Sequence, residues 1–181
     1  MNDPISAWHA EHVYFAHLLD LLQRELDVFH LGGRPNYELA QDIITYLRDY
    51  GDQYHHPRED LVFERLAKRS SDLELVIARL RQQHRVIAGA GESLLVQIES
   101  ILEDAVVPRS QLEMALATYL VYYRSHIEQE DALIVDRAGA ELTPADWEVV
   151  QYIPGPGRDV SPGLKSAEHF KELRRQIALE A

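Results

Sequence analysis

The chain has 181 residues, enough for one domain with a sizeable buried core. Hydrophobic residues make up 46% and charged residues 27%, and the formal net charge of -12 disfavours nucleic acid and anionic membranes, which are bound through clustered Lys and Arg. There is no cysteine, which excludes disulfides, thiolate metal ligands, iron–sulfur clusters and a thiol nucleophile together.

The N-terminal stretch MNDPISAWHAEH has neither an apolar signal core nor a basic leader. No segment approaches the roughly 18 uninterrupted apolar residues of a membrane span. A cytoplasmic location is therefore expected. Helical periodicity dominates, and almost nothing alternates with period two. The first helix is predicted to start after Ser6, or one turn earlier if Asp3-Pro4 caps it. Its apolar stripe is Trp8, Phe15, Leu19, Leu22, Leu26 and Phe29, with His12 inside it. His30 to Pro35 reads as a stop and a loop.

A second helix is predicted from about Asn36 to about Lys68. One face carries Ile44, Leu47, Gly51, His55, Glu59, Val62 and Leu66. Pro57 removes a backbone donor inside this pattern, which predicts a local kink. The third helix runs from about Asp72 to Glu103, with His84 in a stripe from Leu73 to Ile101. The fourth, capped near Ser110, carries Leu112, Leu116, Tyr119, Tyr123, His126, Glu130 and Leu133 and ends near Gly139. Leu142 to Trp147 reads as a cap and a short helix. Pro154 to Gly163 is a loop, and a last amphipathic helix covers about Lys165 to Ala178. The expected fold is all-α: an up-down-up-down four-helix bundle over residues 1–140. A short C-terminal helical extension at 141–181 packs on the bundle or serves a homo-oligomer contact.

Each of the four helices places a potential metal ligand within its apolar stripe: His12, then His55 and Glu59, then His84, then His126 and Glu130. Residues four apart lie one turn apart on one helix face, so His55/Glu59 and His126/Glu130 can each converge on a point. Imidazole with carboxylate suits iron, manganese or zinc. Glu is almost never buried unless paired or metal-bound, and two such residues among four histidines favour a metal over a bare polar network. His56 points about 100 degrees from His55 in a regular helix, unless the Pro57 kink turns it back as a further ligand. Asp60, four residues on, is a fallback partner for His56. Tyr123 shares the face of His126 and is a candidate neighbour of the site. His9, His17, His30 and His169 fall outside the convergent set.

The segments Glu11-His12, His55-His56-Pro57-Arg58-Glu59, Gln83-His84-Arg85 and His126-Ile127-Glu128-Gln129-Glu130 resemble the hemerythrin-like, HHE cation-binding family. The resemblance covers about residues 6 to 150. It implies His12, His55, Glu59, His84, His126 and Glu130 as ligands of two non-haem iron ions, zinc or manganese being the other metals the ligands allow. The position four after His84 is Ala88, so the His-x-x-x-His pair of oxygen-carrying members is missing. Three classes of function follow. The first is a di-iron protein that binds a small diatomic ligand (O2 or NO) or peroxide for sensing, iron handling or stress defence. The second is an enzyme that consumes peroxide or repairs iron centres. The third is a structural zinc-binding bundle acting through a protein partner. The sequence does not decide whether the chain is an enzyme.

Overall fold

The structure, a computed structural model, describes residues 3–151. Helix α1 spans Pro4–His30. It begins at the earlier of the two expected starts: the Asp3 carboxylate accepts from the Ser6 N–H at 3.1 Å and the Ser6 hydroxyl at 2.7 Å, and Pro4 spends no useful donor in the first turn. Helix α2 spans Tyr37–Tyr46, capped by Asn36 Oδ1, which accepts from the Leu39 N–H at 3.0 Å. A π-helical stretch, Leu47–His55, continues it into α3, His56–Ala67. A 3-10 turn at Ser71–Leu73 leads into α4, Glu74–Leu102. Helix α5, Arg109–Glu130, passes through a second π-helical stretch, Asp131–Val135, into α6, Asp136–Glu141. Helix α7 is Pro144–Gln151. No strand occurs among the described residues, and no helix there is long and apolar enough to cross a membrane.

The α2–α3 and α5–α6 segments are continuous rods, the expected second and fourth helices. Helix α1 packs on α2 and α5, and α4 packs on α2, α3 and α5. The four rods therefore form a ring in chain order, joined by short connections, which is the up-down-up-down bundle. Helix α7 is fastened to α3. Asp146 accepts from the Thr143 N–H at 2.9 Å and its hydroxyl at 2.7 Å, and receives Arg65 at 3.1 Å and Arg69 at 2.6 Å. The expected loop at 154–163 and last helix at 165–178 lie outside the described residues.

The kink expected at Pro57 takes a different form. A proline ring crowds the carbonyl four residues back. The winding here widens over the preceding nine residues, and the His56 N–H bonds to Gly51 O, five residues back. Gly51 is required in that stretch, because a Cβ there would lie 2.7 Å from the Tyr123 hydroxyl.

Two apolar clusters fill the bundle. The larger draws on Phe15 to Phe29, Ala40 to Leu47, Ile87 to Ile98 and Leu112 to Ile127. The smaller gathers Trp8, Val62, Phe63, Leu66, Ile77, Leu80, Ile134 and Val135, with Leu142 and Val150. In every rod the histidines and glutamates singled out above fall at the junction between the segments that feed the two clusters. The fold thus clamps one polar layer between two apolar ones.

Candidate metal centre

Buried in that layer are His12, His55, His56, Glu59, His84, His126 and Glu130, none more than 6% exposed. They form two groups that share Glu59. His12, His55, Glu59 and Glu130 each bring one donor atom within 4.8 Å of the others, and so do His56, Glu59, His84 and His126. Each carboxylate divides its oxygens. Glu59 Oε1 lies 3.2 Å from His12 Nε2 and 2.6 Å from His55 Nε2, while its Oε2 lies 3.3 Å from His84 Nε2. Glu130 Oε2 lies 3.3 Å from His12 Nε2, and its Oε1 lies 3.4 Å from His126 Nε2 and 3.6 Å from His84 Nε2.

The opposite ring nitrogens face an outer layer of acceptors. His12 Nδ1 meets Asp131 at 2.8 Å, His55 Nδ1 meets Glu11 at 2.5 Å, and His56 Nδ1 meets Asp52 at 3.1 Å. His84 Nδ1 lies 3.3 Å from Asp60, and His126 Nδ1 lies 3.2 Å from Gln83 Oε1. A proton held at Nδ1 leaves the Nε2 lone pair aimed inward, as metal-ligating histidines require. Glu11 is itself held by Arg58 and by the Tyr50 hydroxyl.

The inward atoms are poorly satisfied by one another. Both Glu130 oxygens, Glu59 Oε2, and the Nε2 atoms of His56, His84 and His126 are buried without a hydrogen-bond partner. Each such atom costs about 1–3 kcal/mol unless another interaction replaces the lost water. A cation at such a focus would supply that interaction, and a set of imidazole and carboxylate donors suits a divalent transition metal. The electrostatics agree. Burial opposes a charge on His12, but Asp131, Glu130 and Glu59 outweigh it and push the imidazole up to about 12. Against the same opposition, Asp60, Glu130 and Glu59 push His84 up to about 11. Burial would raise Glu59, yet His55, His12 and His84 hold it well below the usual carboxylate range. Burial drives His56 down and takes His126 to about 4. The field inside the layer favours positive charge between the carboxylates.

The structure brings together all six residues expected to converge, and His56 with them. The widened turn ahead of Pro57 lets the neighbours His55 and His56 both face inward. His56 does not pair with Asp60; it meets Asp52, and Asp60 serves His84 instead. Tyr123 is fully buried, its ring 5.9 Å from that of His56 and 6.5 Å from that of His126. Its hydroxyl sits over Gly51 and has no hydrogen-bond partner. His9 and His30 are exposed and His17 is half-buried; His169 lies outside the described residues. Sequence reasoning missed the outer layer and Trp8. The indole N–H of Trp8 donates to Glu59 Oε1 at 2.7 Å. Trp8 precedes His12, and Asp52 precedes His56, by one helical turn, a spacing that would have flagged both.

The hemerythrin HHE cation-binding domain model matches residues 3–138. Comparison with curated proteins finds no match. With its helical bundle and its two buried His/Glu groups, the chain belongs to the hemerythrin HHE cation-binding domain family.

Proposed function

We propose that this chain is a non-haem di-iron protein that binds a small diatomic ligand or peroxide. The observation that supports it most is the sharing of two carboxylates between two foci. Glu59 and Glu130 each turn one oxygen toward each focus. His12 and His55 complete one focus; His56, His84 and His126 complete the other. This reading has five histidines and two glutamates in the ligand set, one histidine more than the sequence alone required.

A bound iron pair would supply reversible ferrous–ferric chemistry. The protein's own part is to orient and to exclude. Asp131, Glu11, Asp52, Asp60 and Gln83 fix the rings, and the apolar clusters above and below keep bulk water out. Focus one has two histidines and focus two has three, so with both carboxylates shared the first keeps more room for a small ligand. Iron analysis and the absorption spectrum of aerobically purified protein test the reading. We expect about two irons per chain and a near-ultraviolet band of a coupled ferric pair. A colourless protein containing zinc sinks the iron assignment and leaves the structural reading.

A further inference from the structure

Trp8 stands on α1 one turn before His12 and is 6% exposed. Its N–H donates to Glu59 Oε1 at 2.7 Å and lies 3.0 Å from His12 Nε2. An indole has one donor and no acceptor, and a buried one takes a polar partner. Both atoms it meets point into the same focus. An imidazole Nε2 has a single lone pair, which a cation would consume. A carboxylate oxygen has two, so it can serve a cation and the indole together. In a loaded site the N–H therefore stays with Glu59. Glu130 has no equivalent: neither of its oxygens has a hydrogen-bond partner. The two shared carboxylates are unequal.

We propose that Trp8 is a positioning residue that fixes Glu59 through its indole N–H and draws negative charge from it. Glu59 is then the firm carboxylate of the centre, and Glu130 is the one free to shift when a small ligand arrives. A donor on an anionic ligand weakens that ligand's stabilisation of the more highly charged metal state, so Trp8 favours the reduced pair. The effect on potential rests on the di-iron reading; the hydrogen bond itself does not.

The test compares iron-loaded wild type with Trp8→Phe, which keeps an aromatic ring in the smaller cluster, though a smaller one, and loses the donor. We expect unchanged iron content and a lower midpoint potential. The oxidised form should gain about tenfold, which is about 59 mV for a one-electron step. Equal potentials at equal iron content overturn the proposal. A second measurement needs no change at Trp8: the indole N–H resonance of zinc-loaded protein, assigned against Trp147→Phe. It should stay shifted to low field and slow to exchange, before and after loading. Movement to the position of a free indole on zinc loading overturns the proposal, whether or not iron is the resident metal. Failure to bind iron at all would instead defeat the di-iron reading, with the resonance still deciding the role of Trp8.

Discussion

Two of the four rods cross the polar layer as unbroken α-helices, and two do not. Helices α1 and α4 pass through it regularly, and each contributes one inward histidine, His12 and His84. The α2–α3 rod contributes His55, His56 and Glu59, and the α5–α6 rod contributes His126 and Glu130; both contain a π-helical stretch beside those residues. A regular helix presents groups one turn apart on one face but turns adjacent residues about 100 degrees apart. Both irregular rods use adjacent residues at the same place. His55 and His56 both face inward. Glu130 faces inward while Asp131 reaches the outer nitrogen of His12. The widened winding appears where the chain needs two neighbours at one site, as π-bulges often do at functional sites.

The contrast between the apolar layers and the polar layer can be broken by substitution. Leu94, fully buried in the larger cluster, should cost about 2–5 kcal/mol when replaced by Ala. Thermal melts should show that loss equally with and without metal. His84→Ala should behave differently. It removes an inward donor as well as a partner of Glu59 and Glu130, so the metal-loaded melt should fall further than the metal-free one. The stabilisation by metal, about 2.7 kcal/mol at a hundredfold excess over Kd, should largely vanish. Equal losses for His84→Ala in both forms would mean that the layer is structural.

Next in size is Gly51→Ala. The added Cβ would fall 2.7 Å from the Tyr123 hydroxyl, and overpacking of this kind costs about 1–3 kcal/mol. Because Gly51 lies in the π-helical stretch, metal affinity should fall along with stability. A drop in melting temperature at unchanged affinity would separate the winding from the site. Asp60→Ala, which removes the acceptor facing His84 Nδ1, should weaken metal binding about 10–100-fold, as read by competition with a chelator.

How much of this was legible follows from what each signal depends on. The stripe of one residue per turn located the four rods and the residues His12, His55, Glu59, His84, His126 and Glu130 because it is a property of regular helix. His56 is invisible to that signal, since only a departure from regular winding turns it inward. The outer acceptors were hidden for another reason. Glu11, Gln83 and Asp60 reach histidines on other rods, so their roles depend on rod rotation and not on sequence spacing. Trp8 was read as apolar stripe, which it is; its single polar atom does the rest.

Metal-free stability should also depend on pH. Glu59 is held below its ordinary 4.5, so its contribution is present above about pH 4.5 and is lost on acidification through its lower folded value. His12 is raised from 6.5 to about 12, so its contribution is complete below about pH 6.5 and is lost as pH climbs toward 12. Denaturant midpoints should therefore be highest between about pH 4.5 and 6.5 and fall on either side, through neutrality on the alkaline side, more weakly at both ends in Glu59→Gln.

The central claim is that Glu59 and Glu130 hold two metal ions between them. Metal content per folded chain, measured for wild type and for Glu130→Ala, tests it most directly. Wild type should bind about two ions, and the variant should lose them with helix content retained. A wild type that binds one ion or none under saturating iron, or a variant that keeps both, would contradict it.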